Sequence, residues 1–92
     1  MILITQKIQF EGRVQGVGFR YCVKEIAKGY EVTGSVKNLI TGQVELLVHG
    51  NADEIEAFIV AIHQSELAPH IKDTVQLPVS KDISVPNNFQ IL

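Results

Sequence analysis

Cysteine, positive charge and long apolar runs are all scarce in this sequence of 92 residues. The one cysteine, Cys22, cannot form an internal disulfide and cannot by itself supply a zinc or iron–sulfur site. No apolar run approaches the ~20 residues that span a bilayer, and the first residues lack a basic leader. We therefore expect a cytoplasmic protein with no membrane partner.

Positive charge is also too low and too dispersed for a nucleic-acid-binding protein. Eight lysines and arginines stand against ten acidic residues, which gives a formal charge of −2, and the basic residues are scattered. Binding to a phosphate backbone needs them clustered. With 46% apolar residues and no low-complexity run, the composition is typical of a folded globule, and the length predicts one domain over residues 1–92.

Hydrophobic periodicity predicts an alternation of strands and helices. The predicted strands cover 7–14, 32–40, 43–49 and about 75–79, with a short closing strand at 89–91, and the predicted helices cover about 19–29 and 51–67. The order is βαββαβ with an extra C-terminal strand. Asn51, three residues before Glu54, predicts a capping box at the start of the second helix.

This order predicts a split topology, in which the first two strands run parallel through a right-handed crossover and the third lies antiparallel between them. Because the two parallel strands point the same way, their C-terminal ends meet at one edge of the sheet. The loop after Val14 and the residues near Asn38 can then converge into one site.

The segment Gly16-Val17-Gly18 lies where the first strand passes into the first helix. Two glycines let successive backbone N–H groups turn inward, and the helix start adds unpaired N–H groups and the positive end of its dipole, which favours a bound anion. Arg20 conflicts with that dipole unless an anion binds there, and its guanidinium can hold two phosphate oxygens. The alternatives are a flexible junction that only needs glycine and a solvated surface arginine.

Asn38 is a poor strand residue in phase with Val36 and Ile40, so its amide is expected on the apolar face near the end of the strand. It either belongs to a site or starts the Thr41-Gly42 turn. The three histidines have no ligand-like spacing, and Cys22 is expected to pack rather than act as a nucleophile. No metal site is predicted.

Two motifs resemble those of the acylphosphatase family. The segment Gly12-Arg13-Val14-Gln15-Gly16-Val17-Gly18-Phe19-Arg20 is similar, almost letter for letter, to the family signature, and Gly34-Ser35-Val36-Lys37-Asn38 with Thr41-Gly42-Gln43-Val44-Glu45 is similar to its second motif. Gly50 and Phe89-Gln90-Ile91 resemble the remaining landmarks. Ser35 stands where members commonly carry an aromatic residue, which leaves the packing beside the second strand open.

The resemblance implies an α+β fold, a ferredoxin-like α/β sandwich with a mainly antiparallel sheet and two helices on one face. It implies hydrolysis of the carboxyl–phosphate bond of small acyl phosphates, with Arg20 binding the phosphate and Asn38 orienting the attacking water. The backbone amides expected to cradle the phosphate are those of Gln15, Gly16, Val17, Gly18, Phe19 and Arg20. No cofactor is expected, inorganic phosphate or sulfate should inhibit, and a monomer is the default expectation.

Three other interpretations compete with a standalone enzyme. The chain could be the acylphosphatase-like domain of a carbamoyl-phosphate-handling maturation protein, although its length to Leu92 leaves no further catalytic domain. It could be a noncatalytic module that binds a small anion. It could also be an RNA-binding ferredoxin-like domain, although the central strands lack the paired aromatic residues that stack bases.

Overall fold

The computed structural model describes residues 1–92 and contains five strands and two α-helices. The elements are β1 (Leu3–Gly12), α1 (Phe19–Ala27), β2 (Val32–Asn38), β3 (Val44–Asn51), α2 (Ala52–His63), β4 (Ile71–Leu77) and β5 (Phe89–Ile91), with a 3-10 turn at Ala68–His70 before β4. No helix is long and apolar enough to cross a membrane.

The strands form one sheet in the order β4-β1-β3-β2-β5. β3 pairs antiparallel with both β1 and β2, so those two run parallel to each other, and β5 pairs parallel with β2. The predicted split topology is therefore confirmed, together with the ferredoxin-like α/β sandwich and its mainly antiparallel sheet. The C-terminal ends of β1 and β2 lie at the same edge, as the sequence predicted.

The core lies between the sheet and the two helices. Alternate residues of a strand point to one face, and apolar residues three or four apart share one face of a helix. The buried side chains that meet there are Ile8, Phe10, Val36, Val44, Leu46 and Val48 from the sheet and Phe19, Val23, Ala27, Ile55, Phe58 and Ile62 from the helices. The Phe10 ring lies 5.2 Å from that of Phe19, between ring centroids, so β1 packs directly against the start of α1.

The other face of the sheet faces the connection between the two edge strands, β4 and β5, because Ile83 and Val85 of this connection line one pocket with Thr33 of β2. Ser35 lies on this face, opposite Leu47 of β3, because the neighbouring Val36 points into the core. Ser35 is 7% exposed and therefore buried. The serine in place of an aromatic residue therefore affects packing on the face of the sheet away from the helices.

Gly34 lies where β2 leaves no room for a side chain beside β3. Its φ is +150°, and a Cβ built on it would lie 1.9 Å from the carbonyl oxygen of Leu47. No side chain fits at that position, which explains a glycine in the middle of a central strand.

Several predicted boundaries are wrong by a few residues. β1 ends at Gly12 rather than at position 14, although Val14 is fully buried. β2 ends at Asn38 because the N–H of Leu39 donates to the carbonyl of Gln43 and closes a turn. Ile40, predicted to continue the strand, is fully exposed.

The second half of the chain shows similar corrections. α2 ends at His63 rather than near residue 67, and the Ser65 hydroxyl donates to the Ile62 carbonyl, 2.6 Å away, just beyond the helix. β4 begins four residues before the predicted position 75, at Ile71, and ends at Leu77. A side chain that bonds to the main chain can end a helix, and apolar periodicity gives no sign of such a bond.

The predicted capping box at the start of α2 forms only in part. The Asn51 side chain accepts a hydrogen bond from the Asp53 N–H at 2.9 Å, as an N-cap residue does. Glu54 does not reach back to Asn51, and instead its Oε1 accepts from the backbone N–H of Glu31 at 2.9 Å. The carboxylate therefore ties α2 to the segment before β2.

Candidate active site

The loop between β1 and α1 is shaped by two glycines in the left-handed region. Gly16 has φ +79° and Gly18 has φ +75°, and a Cβ at either position would meet no atom within 4 Å. The requirement for glycine is therefore one of backbone conformation and not of space. Buried Val14 on one side and buried Phe19 on the other fix the two ends of the loop.

The start of α1 carries hydrogen-bond donors without acceptors. None of the backbone N–H groups from Gln15 to Arg20 donates to a backbone carbonyl, and the first such bond runs from Cys22 to Gly18 at 3.0 Å. Gly18, the N-cap residue, offers no side chain, and the first turn holds no acidic residue. Unpaired N–H groups, the positive end of the dipole and the Arg20 guanidinium therefore occupy one place, which favours an anion.

Arg20 and Asn38 line the same cavity, which has a volume of about 200 Å³. The convergence predicted from the parallel strands is thus confirmed as a matter of geometry. The lining residues are Val14, Gly16, Gly18, Phe19, Arg20, Tyr21, Asn38 and Ile91. Of the six residues predicted to cradle a phosphate, Gln15 and Val17 are not on this wall.

Arg20 bonds to the residue that follows the last strand. Its Nη1 donates to the main-chain oxygen of Leu92 at 2.7 Å, and Ile91 forms part of the cavity wall. The sequence predicted the closing strand but not its parallel pairing with β2, which brings these two residues to the arginine. No local pattern around Leu92 signals that contact.

Asn38 lies at the very end of β2, opposite Val44 of β3. It follows Val36 by two residues and so lies on the helix side of the sheet, and its side chain is exposed. The turn after it is closed by bonds from Leu39 N–H to Gln43 and from Gly42 N–H to Leu39, and neither uses Asn38. The interpretation of Asn38 as a turn starter gains no support.

Gln15 makes a side-chain contact that the sequence did not indicate. Its side-chain Nε2 donates to the main-chain carbonyl of Leu39 at 2.7 Å and to that of Gln43 at 2.9 Å. The side chain therefore joins the glycine loop to the turn that follows Asn38. A glutamine beside a glycine gives no sign of such a contact, because its partners lie far along the chain.

Cys22 and the histidines lie outside the Arg20–Asn38 cavity. Desolvation raises the pKa of the Cys22 thiol, and the hydrogen bond it donates to Glu66 raises that pKa further, so the thiol stays protonated at neutral pH. A protonated thiol fits the expected packing residue. His49 pairs with Thr5 at 2.7 Å and His63 with Thr74 at 3.0 Å. No three His, Cys, Asp or Glu side chains converge as a metal site would require.

The fold and this loop define a class of protein, a ferredoxin-like α/β sandwich whose first strand-to-helix loop carries unpaired backbone N–H groups. The family model for acylphosphatases matches residues 6–91. The acylphosphatase of Bacillus subtilis is 31% identical over 90 residues, 98% of each chain. The chain belongs to the acylphosphatase family, whose members are hydrolases.

Other comparisons agree on the family. The acylphosphatase of Methanospirillum hungatei is 51% identical over 51 residues, which is 55% of this chain and 56% of that one. The crystal structure of the Bacillus subtilis acylphosphatase superposes with a TM-score of 0.83 at 32% identity, covering 99% of each chain. An acylphosphatase from Coxiella burnetii gives a TM-score of 0.82 at 26% identity, covering 98% of this chain and 93% of that one.

The same fold also occurs inside a larger protein. HypF of T. kodakarensis matches with a TM-score of 0.80 at 30% identity, over 95% of this chain but only 11% of that one. The fold by itself therefore does not separate a standalone enzyme from a domain of a longer chain.

Proposed function

We propose that this chain hydrolyses acyl phosphates in the cavity between Arg20 and Asn38, releasing a carboxylate and inorganic phosphate. The observation that carries the proposal is the meeting of Arg20 and Asn38, distant in sequence, beside a run of unpaired backbone N–H groups. The activity named for the family supplies the substrate class.

The phosphate group is held, in this proposal, by Arg20 and the amides of the Gln15 to Arg20 loop. Phosphoryl transfer asks the protein chiefly for positioning and for stabilisation of charge on the equatorial oxygens. A planar guanidinium can bind two of those oxygens, and preorganised N–H groups at a helix start can bind the others. The bond that Arg20 donates to Leu92 leaves the remaining guanidinium N–H groups of Arg20 for the substrate.

The leaving group explains why so few side chains suffice. An acyl phosphate is a mixed anhydride, and its leaving group departs as a carboxylate, which is stable as the anion at neutral pH. No general acid is needed to protonate it. The cavity wall contains no Asp, Glu, His or Cys, which fits a reaction that requires none.

Asn38 has the remaining task of orienting the attacking water. Its amide offers both a carbonyl acceptor and N–H donors, so it can hold a water molecule in line with the bond that breaks. A phosphate oxygen accepts the proton that the water loses. Asn38 is exposed at the end of β2, where a water molecule can reach it.

The test is hydrolysis of benzoyl phosphate by the purified protein, followed at matched ionic strength with and without a chelator. We expect saturable turnover that the chelator leaves unchanged. Absence of turnover would favour the noncatalytic anion-binding module, whereas turnover lost to the chelator and restored by a divalent ion would contradict this mechanism. A monomeric state and a cytoplasmic location remain predictions, to be checked by sedimentation and by cell fractionation.

A further inference from the structure

The two parts of the proposed site belong to separate segments of the chain. The loop with Arg20 follows β1, whereas Asn38 ends β2, and β3 lies between those strands. In-line attack needs the water and the phosphate in a fixed relation, and a displacement of about 1 Å can cost about 10²-fold in rate. Something must therefore hold the loop and the strand end in register.

The Gln15 side chain is placed to do this. Its Nε2 donates to the carbonyls of Leu39 and Gln43, residues 24 and 28 positions away, at 2.7 and 2.9 Å. Leu39 directly follows Asn38, and Gln15 directly precedes Gly16 at the left-handed turn of the loop. One amide thus connects the residues next to both halves of the site.

The geometry specifies the donor as well as the contact. The carbonyls of Leu39 and Gln43 already accept bonds from Gly42 and Leu39 N–H groups, and Nε2 adds a second bond to each. Both partners are acceptors, so only the NH₂ end of the glutamine amide can face them. A side chain of the same shape without N–H donors would fill the space without making the connection.

We propose that Gln15 is a positioning residue, whose side-chain amide fixes Asn38 against the phosphate loop. The inference rests on the proposed function, because it assigns Gln15 an effect that passes through Asn38. Loss of the bridge should disturb the placement of water more than the binding of phosphate, since Arg20 and the loop amides remain. The expected signature is a fall in kcat with a smaller change in phosphate affinity.

The experiment compares Gln15→Met with the matched control Gln9→Met. Both glutamines are half-buried, donate from Nε2 and lie off the cavity wall, but Gln9 bonds to the Glu45 side chain at 3.5 Å and not to the turn after Asn38. We expect Gln15→Met to lower kcat for benzoyl phosphate about 10- to 100-fold. The inhibition constant of inorganic phosphate should stay close to the wild-type value, and Gln9→Met should leave both quantities unchanged.

A second variant of Gln15 and the same substitution in an Asn38 variant test the positioning role independently. Gln15→Asn keeps the amide but is one methylene too short to span both carbonyls, so it should reproduce the loss even if the methionine variant is unstable. In an Asn38→Ala background, Gln15→Met should add little, because the residue through which it acts is gone.

Two results would overturn the positioning role. One is wild-type kcat in both folded Gln15 variants, and the other is an equal loss of phosphate affinity and kcat, which would make Gln15 part of phosphate binding instead. A failure of the proposed function looks different: the wild type would show no turnover, or Asn38→Ala alone would retain wild-type turnover.

Discussion

The two helices begin in opposite ways. At α2 the Asn51 side chain caps the Asp53 N–H, and Asp53 and Glu54 place negative charge in the first turn. At α1 the cap is Gly18, no side chain accepts from the free N–H groups, and Arg20 adds positive charge. The first arrangement follows the helix dipole and the second opposes it.

This difference separates stability from binding. Capping and a favourable first-turn charge each stabilise a helix by about 0.3 to 2 kcal/mol. The start of α2 has both contributions and the start of α1 has neither. The unsatisfied start of α1 is the one that faces the cavity with Asn38. A helix start that lowers stability when empty is explained if an anion completes it.

Asn38→Asp should have the largest effect, because it puts a second negative charge beside the phosphate group that the start of α1 is proposed to bind. The change keeps the volume, repels a bound phosphate and removes the amide N–H donors. We expect activity to fall about 10²- to 10³-fold, which corresponds to ~3 to 4 kcal/mol of transition-state stabilisation. The measurement is steady-state hydrolysis with a thermal melt on the same sample. A stable variant with wild-type turnover would exclude Asn38 from catalysis.

Arg20→Lys tests whether the start of α1 needs a fork or only a charge. Lysine keeps the positive charge but cannot hold two phosphate oxygens in parallel. Loss of one charge-assisted bond of about 1.5 to 3 kcal/mol predicts a fall in kcat/KM of about 10- to 100-fold. Phosphate inhibition should weaken in parallel while the fold survives. Near-normal kinetics would return Arg20 to the role of a solvated surface residue.

Inorganic phosphate should stabilise the protein through the glycine loop and the start of α1, and not through α2. We expect competitive inhibition and, at ten times the dissociation constant, a gain of about 1.4 kcal/mol in the free energy of unfolding, equivalent to several degrees in Tm. Melts and kinetics with phosphate at tens of millimolar, at constant ionic strength, check both effects. Phosphate should raise the Tm of Arg20→Lys less than that of the wild type. A wild-type Tm and wild-type kinetics that phosphate leaves unchanged would count against the site.

Asn51→Ala should give the smallest effect and the opposite pattern. Removing the N-cap of α2 leaves the Asp53 N–H unpaired and should lower the free energy of unfolding by about 1 kcal/mol. The turnover of the folded protein should not change, because Asn51 is outside the cavity. Denaturant unfolding together with kcat measures the two quantities separately. A loss of kcat without a loss of stability would undo the division between the two helix starts.

The fold could be predicted from the sequence because its signals are local. Alternation in β1 and β3 and the apolar spacing in α1 and α2 report which residues are buried, and the order of elements then restricts the topology. Arg20 and Asn38 could be brought together for the same reason, since two parallel strands end at one edge. The family motifs supplied the roles proposed for them.

The contacts that hold the site together could not be predicted. The bond from Arg20 to Leu92 spans 72 residues and depends on the parallel pairing of β5 with β2, which a strand of three residues does not announce. The bonds from Gln15 depend on where the turn after β2 closes, and that strand was predicted two residues too long. Ile40 was wrongly assigned to the apolar face because the turn overrides its β-branched propensity.

The glycines of this chain differ in what a substitution would disturb. At Gly16 and Gly18 an added Cβ meets no atom within 4 Å, so another residue costs backbone strain of about 1 to 2 kcal/mol but no collision. At Gly34 the same atom would lie 1.9 Å from a backbone oxygen of the neighbouring strand, and nothing flexible can move aside. A substitution at a loop glycine therefore strains only the loop that carries the proposed phosphate site, whereas Gly34 is bound to the pairing of β2 with β3. In distant relatives, the sheet glycine should mark the fold and the loop glycines should mark the proposed activity.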